Sequence, residues 1–330
     1  MDAMFLPDVT DWEGNRWWPW RAVEDWEGAL RALCRDEGIS FQTIQPTVDT
    51  ANAVFILDRR FVVKISPPWE AETLPVEREL LEFLEQKPAI PAPRLLASGI
   101  FEDRIAWPYL IAEYLPGEGF DRVREGMDRG NLLAVARRMG EIIRDFADID
   151  PGAFSTFSPP AGTWREFFAR GKNKAIEALR EDRRLPESLR GNLLDFLEAN
   201  SVEELVDGPS VLHHADFEPE HVLLVETQGR WGISGLIDYA DARVGLREFE
   251  WSAAYRRVLD GDSEAMRAFL AGYDPGYRDE SFCLKCLVVY LTDGEPGLVG
   301  WLCYELERAG YPINTVQELQ DRLFPPISWE

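Results

Sequence analysis

The chain has 330 residues, 45% of them hydrophobic, enough to bury a large core and to divide into about two domains. Its 59 acidic residues against 35 basic ones give a formal net charge of -24, which disfavours nucleic acid and anionic membrane surfaces and favours cationic partners. No apolar run approaches the roughly 18 residues of a membrane span, and MDAMFLPDVTDW has acids where a signal peptide carries Lys or Arg, so a cytoplasmic protein is expected.

In chain order, Trp12, Trp17, Trp18 and Trp20 come first; so much apolar area suits an extension anchored over the first domain, with a ligand lid as the other reading. Residues 23–36 follow helical periodicity through Trp26, Ala29, Leu30, Leu33 and Cys34, and Gly38 ends the run. A strand near 41–45 and the polar loop TVDTAN precede AVFIL and FVVKIS, two strands of a hairpin across the charged turn Asp58, Arg59 and Arg60. Lys64 lies inside the second of them, where a lysine either reaches solvent or meets a carboxylate. The helix PVERELLEFLEQ offers one: Glu77 shares a stripe with Leu80, Leu81 and Leu84, whereas Glu79, Glu82 and Glu85 point more outward. The pattern leaves both outcomes for Lys64 open.

The proline-rich turn PAIPAPRLLASG opens an extended segment, and the strand PYLIAEYL stops at Pro116 and Gly117. A boundary near Leu115 divides the chain into 1–115 and 116–330. Helices dominate the second part, at 132–146, 164–179, 189–197, 250–259, 263–273 and 283–291, interrupted by short strands. Cys283 and Cys286 lie in the last of these, where small side chains suit a buried helix; with no second CxxC, a zinc or redox pair is the weaker reading.

All three histidines, His213, His214 and His221, fall within HHADFEPEH, around Asp216 and just before the apolar run 222–225. The segment GLIDYAD then brings a strand over 235–237 to Asp238 and Asp241. Two adjacent strands delivering carboxylates and imidazoles to one place describe a metal and phosphate site.

In order, FVVKIS, VERELLEFL, IPAPRLLASG, IAEYLPG, HHADFEPEHVLL, GLIDYADARVG and RAFLAGY resemble the aminoglycoside phosphotransferase family, protein-kinase-like small-molecule kinases. The resemblance implies an α+β, bilobal fold: a small, mainly antiparallel-sheet N-lobe that binds nucleotide and a larger, mainly helical C-lobe that carries catalysis and the acceptor. It implies ATP and Mg2+, with Mn2+ an alternative, and transfer to a hydroxyl of a small molecule, cationic as in an aminoglycoside. Macrolide, choline, fructosamine and homoserine kinases share the architecture, and a nucleotide-binding pseudoenzyme is the reading from another class.

On this resemblance, His214, Asp216 and His221 occupy the first, third and eighth positions of the family's H-G-D-x-x-x-x-N pattern. Asp216 would meet the acceptor hydroxyl, His214 would shape the loop, and Asp238 would bind metal between the phosphates. His221 stands where the family usually has an asparagine ligand; imidazole suits softer metals than Mg2+, although some branches carry histidine there. Lys64 would contact the phosphates with Glu77 holding it, Thr50 and Asn52 would cover them, and backbone groups of Glu113 and Leu115 would hold adenine. Glu250 stands for the second aspartate of the family's G-D-P-x-x-D segment, and Asp241 is expected to cap the next turn, with binding of a cationic acceptor as the other reading. No GxxxxGK[ST] exists, which excludes a P-loop.

Overall fold

The computed structural model describes residues 6, 23–47, 52–156, 164–202, 210–293 and 297–329. The four N-terminal tryptophans and Thr50 lie outside these residues. The chain divides into two compact units, one comprising Met1–Glu118, Leu223–Val225 and Ser234–Asp241, the other Gly119–Val222, Glu226–Ile233 and Ala242–Glu330.

In the first unit, helix α1 (Val23–Asp36) buries Trp26, Ala29, Leu30, Leu33 and Cys34 along one face, as their spacing predicts. It ends where Gly38 takes φ +71, with the Gly38 amide on the Arg35 carbonyl and the Ile39 amide on that of Cys34, a paired C-terminal cap that favours glycine. Five antiparallel strands follow: β1 (Ile44–Pro46), β2 (Ala53–Leu57), β3 (Phe61–Ile65), β4 (Leu95–Glu102) and β5 (Ala106–Glu113), in the order β1-β2-β3-β5-β4. The turn between β2 and β3 is tight because Asp58 and Arg59 both accept positive φ, and the Asp58 carboxylate is held by the amides of Gln42 and Thr43. Trp26 packs on Phe55 at 5.5 Å and edge-on against Trp107 at 5.8 Å, so α1 and the sheet share one core. Helix α2 (Leu74–Leu84) buries Leu80, Leu81, Leu84 and, with them, Glu77; Glu82 and Glu85 are exposed.

In the second unit, a one-turn helix α3 (Phe120–Val123) follows the two-residue strand β6 (Glu118–Gly119), and α4 (Arg129–Ala147) is capped by Asp128, which accepts the Asn131 amide at 3.0 Å. Next come α5 (Trp164–Glu181), α6 (Glu187–Ala199), β7 (Ser210–His213), β8 (Val222–Thr227) and β9 (Arg230–Leu236), of which Leu223–Val225 and Ser234–Leu236 belong to the first unit, then β10 (Arg243–Leu246) and α7 (Arg247–Ala253). The last helices are α8 (Ser263–Tyr273), α9 (Phe282–Thr292), α10 (Leu298–Ala309) and α11 (Val316–Leu323). Helices α4 and α8 meet backbone to backbone: a Cβ at Gly140 would collide with the Phe269 carbonyl, and one at Gly272 with that of Arg137.

Three local expectations are corrected. Strand β9 ends at Leu236, so Asp238 lies beyond it with φ +66, a conformation that cannot continue a strand. The helix expected over 250–259 begins earlier, as α7, and passes into a π turn at Ala254–Val258. Asp241 is exposed and does not cap it: Leu246 holds the cap position of α7, without a side-chain cap bond. The pairing of β7 with β10, Arg243 opposite His213, was not expected, because two four-residue strands with about thirty residues between them carry no joint signal. Among the described residues, no helix is long and apolar enough to cross a membrane.

Candidate functional site

Lys64 settles the question left by its position in β3. Its side chain is 7% exposed, and Nζ lies 2.8 Å from Oε2 of Glu77 and 2.7 Å from Oδ1 of Asp238. Burial alone would push the ammonium down, but the two carboxylates outweigh it and hold the pKa above the usual lysine range. Burial likewise raises Glu77, against the pull of Lys64, and the Tyr239 amide donates to it. One cation between two carboxylates is a charge arrangement suited to phosphate oxygens and metal, since a buried set of this kind costs stability unless every member is paired.

The other predicted residues of this unit are placed as follows. Asn52 is 9% exposed and accepts the Ser66 hydroxyl at 2.6 Å, so its side-chain oxygen ties the start of β2 to the end of β3. The Glu113 amide donates to the Arg94 carbonyl and the Tyr114 amide to that of Arg60, both at 2.9 Å. The Leu115 amide has no backbone partner among the described residues. Its side chain abuts Gly235, where an added Cβ would lie 2.7 Å from Leu115 Cδ1.

In the second unit, β7 delivers the histidine loop. His213 is buried against the ring of Phe249, 5.3 Å between centroids, with Gly245 leaving room for it; burial pushes its pKa down to about 3, so it is a neutral packing group. The next two amides, of His214 and Ala215, donate to the buried carboxylate of Glu250, the first at 2.5 Å. Ala215 takes φ +67, which turns the chain sharply just before Asp216. His221 Nδ1 lies 2.9 Å from the Asp216 carbonyl; a carbonyl only accepts, so Nδ1 carries the proton and Nε2 the lone pair. Nδ1 is also 3.5 Å from the Asp216 carboxylate. Thus Asp216 and His221, five residues apart, are locked to each other through the backbone.

Two features of this unit escaped sequence reading. Arg257, in the π turn, pairs with Glu218 of the histidine loop at 2.5 Å; burial still pushes Glu218 up, to about 7. Glu218 also lines a cavity of about 520 Å³ with Arg256, Asp260, Trp301 and Tyr304. The only hint was the adjacent pair Arg256 and Arg257 in an otherwise apolar helical stretch.

Asp238 supplies carboxylate oxygen, the donor that Mg2+ takes most readily, and His221 supplies an imidazole nitrogen whose tautomer is already set; each fits a divalent cation by its chemistry.

An antiparallel sheet with a buried lysine anchored by a helix glutamate, and a helical unit whose short strand leads into the histidine loop, define a protein-kinase-like phosphotransferase of small molecules. The model of the phosphotransferase enzyme family matches residues 38–283, and the chain belongs to that family. No curated protein matches the chain. Solved structures similar to it include a complex of APH(2")-IIia with GDP and kanamycin, 16% identical, with a TM-score of 0.68 over 89% of this chain and 96% of that one. Another is the streptomycin-ATP-APH(2")-IIa ternary complex, 16% identical, TM-score 0.58, covering 90% and 98%. A third is macrolide 2'-phosphotransferase MphH from Brachybacterium faecium, 18% identical, TM-score 0.60, covering 91% and 99%. At these identities the likeness establishes the α+β, kinase-like fold.

Proposed function

We propose that the protein moves the γ-phosphoryl group of ATP to a hydroxyl of a small molecule, with Mg2+ or Mn2+ held by Asp238 and His221. The observation that carries this reading is Lys64, fixed between Glu77 and Asp238 at 2.8 and 2.7 Å. Lys64 binds the α and β phosphates, and Glu77 keeps its ammonium in place. Of the two residues assigned to cover the phosphates, Thr50 and Asn52, the second is tied to Ser66 at 2.6 Å. The Glu113 amide is already bonded to Arg94, so adenine is left the Glu113 carbonyl and the Leu115 amide. A metal bound there would neutralise charge on the phosphate oxygens.

Asp216 accepts a hydrogen bond from the acceptor hydroxyl and orients its oxygen toward the γ-phosphorus. As the new P–O bond forms, the bond from that phosphorus to the β,γ-bridging oxygen breaks. The hydroxyl proton passes to the Asp216 carboxylate, and ADP leaves. Glu250 contributes by holding the amides of His214 and Ala215, which sets the approach of Asp216. ATP as donor is consistent with a cytoplasmic setting.

The test is phosphoryl transfer from ATP, with Mg2+ and with Mn2+, to a panel of aminoglycosides, macrolides and amino alcohols, comparing the natural protein with Asp216→Ala. Transfer that the substitution abolishes is expected. Nucleotide binding without transfer to any acceptor would instead favour a nucleotide-binding module, the reading that His221 in an asparagine position suggests.

A further inference from the structure

The sheet of the first unit has two edges, and they differ. Strand β1 is three residues long and ends in Pro46, which has no amide to offer a neighbour. Strand β4, at the other edge, runs eight residues, with no proline and no charge before Glu102. Its one irregularity, between Leu95 and Ala97, lies at its start. Ser98, Gly99 and Ile100 are exposed, Ile100 by 59%.

The backbone of this edge faces outward in a regular way. The Asp103 amide turns inward to the Ile105 carbonyl at 3.2 Å, and Pro108, opposite Ile100, turns its carbonyl away from β4, to the Ser66 amide at 2.8 Å. Alternation along an antiparallel pair then points the amides and carbonyls of Ser98, Ile100 and Glu102 outward, where no described strand meets them. The strand is also held in place. Tyr109 sets its ring where a side chain of Gly99 would be, 2.8 Å from an added Cβ, and donates its hydroxyl to Glu37. A row of donors and acceptors on a fixed, uncharged edge is a template for one more strand.

The charges at its two ends select the partner. Arg94 precedes the strand and Glu102 closes it, both exposed. A second copy of the chain, antiparallel and centred on Ser98, brings Arg94 of each copy to Glu102 of the other, with Leu95 facing Phe101 and Leu96 facing Ile100. A parallel pair would instead set Arg94 on Arg94. The net charge of -24 opposes association at long range. Locally, however, Arg94 and Arg104 balance Glu102 and Asp103, and salt at about 0.15 M screens charges more than about 8 Å away.

We propose that β4 is a homodimer interface, at which two copies pair their β4 strands antiparallel and join their sheets into one. A single added strand buries less than the roughly 1,200 Å² of a standard interface, so the dimer half-dissociates at about 10–100 μM. This pairing is independent of the chemistry at Lys64 and Asp216.

Sedimentation velocity on the full chain, from about 1 to 300 μM, reads the association. The natural protein is compared with Arg94→Glu, Glu102→Arg, the two exchanges together, and Ser98→Pro, which removes an outward amide and leaves the bonds to β5 intact. All three positions are exposed, and an unchanged thermal unfolding curve confirms that each variant folds. The expected result is a dimer of the natural protein, weakened at least about fivefold by each single substitution and restored to within about threefold when both charges are exchanged. A monomer at every concentration, as occupation of the edge by another part of the chain or by a different protein would give, overturns the proposal. So does a dimer indifferent to Arg94→Glu, or one that the double exchange fails to restore.

Discussion

The carboxylate of Glu250 accepts the backbone amide of His214 at 2.5 Å, across 36 residues of sequence, and takes the amide of Ala215 as well. Glu250 is 1% exposed, so these bonds form away from water. Replacing it by alanine leaves two buried amides without an acceptor, at a cost of about 2–4 kcal/mol. Glu250→Ala should lower the unfolding free energy by that amount in denaturant titrations and depress transfer activity. Glu250→Gln keeps an oxygen acceptor and should recover most of both; equal losses in the two variants would rule out the bracing role.

Among the described residues of the first unit, Lys64 is the cation paired with both Glu77 and Asp238. Lys64→Met should destabilise the protein by about 3–5 kcal/mol, because two carboxylates are left facing each other in a buried place. Glu77→Gln should cost less, since Asp238 still pairs the ammonium. Nucleotide affinity, read by fluorescence titration, should fall in both variants.

Ala215 holds φ +67, a region that costs an L-residue about 1 kcal/mol. Ala215→Gly removes that strain but adds freedom to the unfolded chain, so a net gain of roughly 0.5 kcal/mol or no change is expected. A clear loss in thermal or chemical unfolding would show that the alanine methyl makes contacts worth more than the strain.

His213 is buried neutral, its pKa pushed down from 6.5 to about 3 by burial and by the nearby Arg243. Between these values the unfolded chain binds a proton that the folded one refuses. The stability His213 contributes is therefore full above about pH 6.5 and drains away as pH falls toward 3. Unfolding measured from pH 7 to pH 4 should show this slope, and His213→Gln should flatten it even where it lowers stability overall.

His221 donates from Nδ1 to the Asp216 carbonyl, so under the proposed function Nε2 is the nitrogen that would bind metal. Under the proposed function, His221→Asn replaces imidazole nitrogen by amide oxygen and should shift the ratio of Mg2+- to Mn2+-supported activity toward Mg2+ by roughly 1 kcal/mol or more, about fivefold. An unchanged ratio would remove His221 from the metal site.

Much of the first unit was legible because its signals are local. Helical spacing marked the residues that α1 buries, two short apolar runs across a charged turn marked the hairpin, and the Pro116 and Gly117 stop marked the end of the strand before them. The ordered motifs also brought out Asp216 and Asp238 and, through them, the family. A side chain's chemistry and the period of its neighbours report which face is buried, and both survive in a linear string.

Tertiary structure alone decided which groups meet. Lys64 had two admissible fates in the sequence; the fold chose Glu77, 13 residues away, and Asp238, 174 residues away. His213 had no role until Gly245 and Phe249 closed around it, and Glu250 became a brace only when β7 paired with β10. The mix of acid and base around the cavity was hidden by the charge of the whole chain, since its arginines come from the π turn and α10 and its acids from the histidine loop, Asp260, Asp293 and α10. Periodicity fixes burial one element at a time, whereas partners follow from closing long loops into one topology, and that information is not local.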